Sequence, residues 1–184
     1  MQKALGNLEK FEECALLNYP NYPNIGDHLI WLGALFYLTD VMRTQINHVA
    51  VQNLSKTKVN QKLGKKAPLI FTGGGNFNDI YRHIEFYEEI ISEYRDRPII
   101  ILPQSIYFKN PERLTKVAEI FNSHPNLTIF ARENYSYDLA IQHFQNCRVI
   151  KCPDLALQMV NMPDLANKNR RSSSILYLVE LVKN

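Results

Sequence analysis

The 184-residue chain is 46% hydrophobic and 21% charged, enough apolar material for one domain with a proper core and too much for a disordered chain. Its 21 lysines and arginines against 18 acids leave a net charge of +3, too mild to argue for nucleic acid. Three cysteines (Cys14, Cys147, Cys152) form no CxxC pair, which speaks against a disulfide scaffold or a zinc ribbon and fits a reducing compartment.

The opening segment is interrupted by Lys3, Glu9, Lys10, Glu12 and Glu13, so it does not read as a signal peptide. Cys14 to Asn18 reads as a first strand, followed by the proline- and asparagine-rich loop YPNYPNIGD. Residues 28–42 are helical in length. Their apolar run, Leu29 to Leu38, is ten residues, about half of what a membrane span needs, and predicts a buried helix. His48 to Asn53 and Pro68 to Thr72 are the second and third strands, the third running straight into Gly73, Gly74 and Gly75. Residues 82–95 carry Ile84, Tyr87, Ile90, Ile91 and Tyr94 at helical spacing. Pro98 to Pro103 is a fully apolar strand of the kind found inside parallel sheets. A helix over 111–122 with Pro111 in its first turn, a strand over Leu127 to Ala131, a helix near 133–144 and a strand over Arg148 to Cys152 complete the series. Strands alternating with helices predict an α/β, Rossmann-like doubly wound parallel sheet over residues 1–160. Residues 161–174 read as a polar linker, and 175–184, opening on the apolar ILYLV, as the start of a second domain.

In such sheets, ligands bind beyond the carboxyl ends of the strands, and four of those ends carry unusual residues: Asn24–His28 (NIGDH), Thr72–Asp79 (TGGGNFND), Leu102–Ser105 (LPQS) and Ala131–Ser136 (ARENYS). The triple glycine lets backbone approach a ligand and offers N–H groups to an anion. It is neither a phosphate-binding GK[ST] loop nor a dinucleotide fingerprint, because Asn78 stands where the third glycine belongs. Its plainer reading is a tight turn. Asp27 is placed to cap the following helix. Arg132 can clamp a carboxylate or phosphate through two parallel hydrogen bonds, or simply pair with Glu133 or Asp154. Gln104 and Ser105 either face a ligand or satisfy local backbone. His83 follows the glycines closely enough to reach the same cleft, whereas His48, His124 and His143 read as surface or strand-edge residues. No HExxH, DxD or clustered His/Cys set points to a metal. Lys56, Lys58, Lys62, Lys65 and Lys66 form an acid-free run, either a solvated loop or a face for anionic lipid or phosphate.

Taken in order, NIGDHLIWLGA, LIFTGGGNFNDIY, PIIILPQSIYF, IFARENYSYDLA and CPDLAL resemble the polysaccharide pyruvyl transferase family over residues 14–157, nearly the whole chain. The resemblance implies a cytoplasmic bacterial enzyme of exopolysaccharide biosynthesis, at the inner face of the membrane. Such an enzyme moves pyruvate from phosphoenolpyruvate onto a sugar of a glycan or lipid-linked saccharide as a ketal. It also implies two Rossmann-like halves in a GT-B-like arrangement with the site between them. This chain is similar to the N-terminal half alone, so it is expected to be inactive by itself and prone to self-association through an exposed interdomain wall of roughly 600–1,500 Å². The family's Arg-x-Asp-Glu segment has no match in Glu180–Asn184, and Asn78 replaces a glycine of the GGGNFGD form, a change that asparagine's tolerance of left-handed backbone would absorb.

Set against the donor's chemistry, the residues expected to be catalytic are Arg132, on the anionic end of the donor, and Asp27 and His28, which with Asp79 would contact the sugar or relay a proton. Asn24, Gly26, Gly73, Gly74, Gly75, Asn76, Asp79, Gln104 and Ser105 would line the donor and acceptor pocket. Phosphoenolpyruvate serves as donor substrate, and no metal or other cofactor is required. Two competing readings share the architecture: a glycosyltransferase acceptor domain that works with a nucleotide sugar, and a non-catalytic fragment of a broken gene. Release of phosphate rather than nucleotide separates the first from a pyruvyl transferase.

Overall fold

The computed structural model describes residues 2–6 and 8–161; the predicted linker past Asn161 and the predicted second-domain strand lie outside the described residues. A short helix α1 (Gln2–Leu5) precedes β1 (Glu13–Leu17), α2 (Ile25–Phe36) with a π-helical end (Tyr37–Val41), β2 (Gln45–Ala50) and α3 (Lys56–Lys62). Then come β3 (Leu69–Phe71), β4 (Gly74–Asn78), α4 (His83–Glu93), β5 (Ile99–Tyr107), α5 (Pro111–Asn122), β6 (Leu127–Ala131), α6 (Asn134–His143), β7 (Arg148–Lys151) and a 3₁₀ helix (Leu155–Asn161).

All strand pairs are parallel, in the order β2-β1-β3-β5-β6-β7, with β4 also on β5. The chain steps outward from β1 to β2, then returns to the other side of β1 for β3 and continues in that direction. With right-handed crossovers, such a reversal places the first helix on one face and the later ones on the other. The core shows this division. Ala15, Leu17, Leu69, Phe71, Ile99 and Ile101 pack with side chains of α3 to α6. Their sequence neighbours Cys14, Leu16, Ile70, Ile100 and Leu102 pack with Trp31 and Ala34 of α2 and Leu155 of the 3₁₀ helix. Strands buried on both faces account for the runs of uninterrupted apolar residues in the sequence. The doubly wound α/β class expected from the alternating pattern is the one observed.

Several local expectations change. Helix α2 starts at Ile25, not 28, because Asn24 is its cap: the Asn24 side chain accepts the Asp27 N–H at 3.1 Å. Asp27 therefore occupies the first turn and is not the cap. The triple glycine is no tight turn. Strand β3 stops at Phe71, Gly73 kinks the chain, and β4 resumes on the same partner: Leu69–Phe71 pair with Ile99–Ile101, and Gly74–Asn78 pair with Gln104–Tyr107. A side chain at Gly73 would stand 2.6 Å from the Pro103 carbonyl oxygen, so only bare backbone fits there. Strand β5 runs through LPQS to Tyr107, which places Gln104 and Ser105 inside a strand and not beyond it. On the α2 face, a Cβ on Gly33 would meet the Leu155 carbonyl at 2.0 Å, so this glycine permits the 3₁₀ helix to lie against α2. His124, expected at the surface, is 2% exposed; its ring bonds the Tyr94 carbonyl and accepts the Asn126 N–H.

Candidate functional site

The switch point of this sheet lies between β1 and β3, and the loops beyond their carboxyl ends form the crevice where ligands of such folds bind. A cavity of about 270 Å³ opens there, lined among others by Asn18, Tyr22, Gln52, Asn76 and His83. A larger cavity, about 870 Å³, lies at the amino ends of the strands against Phe11, Pro68, Pro98, Pro125 and Arg148 and touches none of the predicted site residues.

Three segments distant in sequence meet at the carboxyl rim. The first is the loop after β1 with the opening turn of α2. Here the Tyr22 hydroxyl donates to Asp27 Oδ2 at 2.9 Å, and the His28 ring is 3.0 Å from the Tyr22 carbonyl through Nε2. A carbonyl oxygen only accepts, so Nε2 carries the proton in this bond. The second is the glycine segment. Gly74 has φ +132°, a conformation that favours glycine, and a Cβ on it would lie 3.5 Å from Asp27 Oδ1. The third is Arg132, directly after β6. A Cβ on Gly75 would stand 4.0 Å from its Nη2. The strand β4 therefore threads between the Asp27 carboxylate and the Arg132 guanidinium, and Asp27, Gly74 and Arg132 share one rim.

Arg132 is firmly held. Its Nε donates to Ser105 Oγ at 2.7 Å and its Nη1 to Asp154 Oδ2 at 2.6 Å, with Glu133 Oε2 3.5 Å from Nε. The ion pair with Asp154 is thus present. The two-bond clamp expected from the sequence is correspondingly reduced: Nη2 is the guanidinium nitrogen that no protein atom bonds among the described residues, and it faces the glycines. Ser105 serves this arrangement by accepting from Arg132 and donating to Glu133 Oε2 at 3.1 Å.

Other predicted residues hold the rim in place without facing the crevice. Gln104 is fully buried; its amide donates to the Thr72 carbonyl and the Tyr87 hydroxyl and accepts the Asn76 N–H. It is a positioning residue for the glycine segment. Asp79 accepts the backbone N–H groups of Lys109 and Asn110 at 2.9 and 2.8 Å, tying β4 to the cap of α5. Partial burial works against its charge, but these N–H groups outweigh it and hold the Asp79 carboxyl below the usual range. Asn78 is not left-handed. Its side chain donates to the Gly75 carbonyl and accepts from the Ile80 and Tyr81 N–H groups, so a side-chain turn, and not tolerance of positive φ, suits asparagine here. Gly26 leaves 3.2 Å between a would-be Cβ and the capping oxygen of Asn24.

One crevice residue, Tyr22, is not singled out by the sequence, and His83, expected to reach the same cleft, lines it. The Tyr22 hydroxyl lies between Asp27 and the Asn76 side chain, and burial, with the neighbouring Asp27 charge, raises its pKa. Tyr22 sits in the loop flagged only for its turn-forming residues; an aromatic ring at a strand's carboxyl end was the available signal. His83, the first residue of α4, is 2.8 Å from Gln52 through Nδ1, and burial lowers its pKa while Asp27 opposes that shift.

The carboxyl rim of this parallel α/β domain thus places a carboxylate and an anchored arginine on either side of a bare glycine strand, an arrangement that can receive a small anionic molecule. The sequence model of the polysaccharide pyruvyl transferase family matches residues 24–181, and the chain belongs to that family. It is 36% identical to "Putative pyruvyl transferase EpsO" of Bacillus subtilis over 163 residues, which is 86% of this chain and 49% of that protein. It is 25% identical to "Pyruvyl transferase 1" of Schizosaccharomyces pombe over 178 residues, 92% of this chain and 44% of the other. "General stress protein 30" of Bacillus subtilis is 27% identical over 177 residues, 91% and 50%. The chain spans about half the length of the curated relatives it matches. Among the described residues, no helix is long and apolar enough to cross a membrane.

Proposed function

We propose that this chain supplies one wall of a site that transfers pyruvate from phosphoenolpyruvate to a sugar of a cell-surface polysaccharide, forming a ketal, and that it works in the cytoplasm. The observation that carries the reading is the placement of Arg132 Nη2 beside Gly75, with Asp27 Oδ1 on the other side of the same strand.

The chemistry asks for such a pair. Phosphoenolpyruvate carries a carboxylate and a phosphate, so its binding calls for fixed cations and a backbone that lets it come close. Protonation of its methylene carbon leaves C2 electron-poor. One sugar hydroxyl attacks C2 and gives up its proton, phosphate leaves, and the second hydroxyl adds with loss of its proton to close the ketal. In this account Arg132 Nη2 holds an oxygen of the donor, and the absence of side chains at Gly74 and Gly75 gives it room. Asp27 Oδ1 accepts a hydroxyl proton, a general-base role of the kind that contributes typically 10²–10⁴-fold. Tyr22 and His28 fix the Asp27 turn, while Ser105 and Asp154 fix the arginine. Fixed charges in a preorganised rim stabilise developing charge without reorganising at the moment of reaction.

Phosphate release from phosphoenolpyruvate in the presence of a saccharide acceptor, measured on protein carrying this sequence, tests the reading. Arg132→Lys keeps the charge but loses the geometry that reaches both Asp154 and the glycines. Loss of one charge-assisted hydrogen bond predicts a rise in KM for phosphoenolpyruvate of roughly 10–100-fold. Unchanged kinetics would remove Arg132 from the donor site, and release of nucleotide from a sugar nucleotide in place of phosphate would overturn the reaction class.

A further inference from the structure

Between Asp40 and Asp79 the chain has no acidic residue but carries Arg43, Lys56, Lys58, Lys62, Lys65 and Lys66, while the rest of the sequence is net negative. The fold gathers most of this charge on one side. Strand β2 is the edge of the sheet, paired with β1 alone, and α3 with the turn after it lies next to that edge. Lys58 and Lys62 are four residues apart and so share a face of α3; Lys65 and Lys66 follow in the turn, and all four are exposed. Lys56 has an acidic partner, Glu93, at 3.8 Å, but the other four lysines form no ion pair among the described residues. The nearest acid along the edge, Glu13, is already bonded to the Gly64 N–H and the Asn47 amide. His48 on β2 senses the cluster: burial lowers its pKa, and Lys62 and Lys58 lower it further. On the same edge, Val49, which points to the α2 face, is 46% exposed, and Val51, at the crevice, is 42% exposed.

We infer that this edge, β2 with α3 and the turn to Lys66, docks on an anionic lipid surface. Four exposed lysines that form no ion pair among the described residues, on one helix and the turn after it, match such a surface, in which the ammonium groups meet the anionic headgroups. The same charge without aromatic rings or arginines in residues 53–66 lacks the stacking and bidentate groups that nucleic acid recognition uses. Val51 and Gln52 also line the carboxyl-end crevice, so docking by this edge would bring the crevice mouth close to the lipid. The inference stands on charge and exposure and does not depend on the proposed reaction.

Co-sedimentation of the chain with phosphatidylcholine vesicles, with and without phosphatidylglycerol, tests it. Binding is expected only with the anionic lipid and should weaken as salt is raised. Each lysine near an anionic surface is worth roughly fivefold in affinity, so Lys58→Gln with Lys62→Gln should weaken binding roughly 25-fold, and Lys65→Gln with Lys66→Gln should weaken it independently. Lys116→Gln, on the exposed face of α5, should leave binding unchanged, and circular dichroism checks that each variant is folded. The inference is overturned by no binding to anionic vesicles, by equal binding to neutral ones, by a Lys116 effect as large as that of the α3 pair, or by binding to single-stranded nucleic acid in preference to vesicles.

Discussion

At the carboxyl ends of the strands, polar side chains are committed to one another: Gln104 to Thr72, Tyr87 and Asn76, Arg132 to Ser105 and Asp154, and Tyr22 to Asp27. At the amino ends a cavity of about 870 Å³, more than three times the roughly 270 Å³ of the crevice, is walled by prolines and exposed charges. Arg148, Lys65 and Lys66 there form no ion pair among the described residues. Volume and chemistry are separated in this molecule. A strand's carboxyl end delivers loops from both sides of the switch point, and side chains fixed on several strands can converge there. The amino ends receive the returning connections, and there Glu13 is bonded to the Gly64 N–H and the Asn47 amide while Arg148, Lys65 and Lys66 stay outside the ion pairs of the described residues. Preorganisation, not space, distinguishes the carboxyl end.

The largest effect that would sharpen this contrast comes from Gly73. Gly73→Ala places a methyl 2.6 Å from the Pro103 carbonyl oxygen, and overpacking of this kind costs about 1–3 kcal/mol or more, with the kink between β3 and β4 disturbed. Arg148→Ala at the other end should stay within about 0.5 kcal/mol. Urea denaturation compares them, and equal losses would break the contrast. Next comes Gln104→Ala, which leaves the Thr72 carbonyl, the Asn76 N–H and the Tyr87 hydroxyl without that partner. A buried unsatisfied group costs about 1–3 kcal/mol. Because Gln104 holds the glycine segment, the Gly75 amide resonance should also move; an unmoved resonance would make Gln104 a plain core residue.

A finer effect separates the buried framework from both ends. His124 is buried with its neutral form fully bonded: Nε2–H donates to the Tyr94 carbonyl and Nδ1 accepts the Asn126 N–H. Burial, aided by Arg95, pushes its pKa below the ordinary 6.5 although the two backbone bonds oppose the shift. Between the folded and unfolded pKa values the unfolded chain binds more protons, so stability rises with pH there. His124 therefore contributes stability that is complete above about pH 6.5 and is lost as the pH falls toward its folded value. The stability gap between wild type and His124→Gln should narrow from about pH 7.5 to about pH 5.5. A gap that stays constant would show that His124 does not titrate in this way.

The layered sheet was legible because both faces of the inner strands β1, β3, β5 and β6 are buried, so apolar runs and helical spacing alternate plainly from Cys14 to Lys151. The bounds of elements were less so. The sequence around Thr72 shows glycines, which signal a turn, but the kink at Gly73 is decided by the distant Pro103 carbonyl, a tertiary contact that no local pattern contains. Similarly, LPQS looks like the end of a strand because proline interrupts it; pairing of β4 alongside extends β5 to Tyr107. At the site, Asp27, the glycines and Arg132 announced themselves by residue type at strand ends. The division of labour among their neighbours did not. Whether a glutamine faces a ligand or holds a carbonyl, and whether an aspartate takes a proton or ties two loops, depends on which backbone groups the fold leaves beside it. Asp79 and Gln104 went to backbone, whereas Tyr22, from a loop notable only for its prolines and asparagines, became the support of Asp27.

The central claim, that the carboxyl rim and not the larger amino-end cavity receives the donor, is tested most directly by titrating phosphoenolpyruvate into isotopically labelled protein and following backbone amide and arginine Nε–H resonances. The account predicts that the Gly74, Gly75 and Asp27 amides and the Arg132 Nε–H shift together, and that Arg132→Lys suppresses the response at the glycines. Shifts gathered instead at Lys65, Lys66, Asn126 and Arg148, with the rim unmoved, would contradict it.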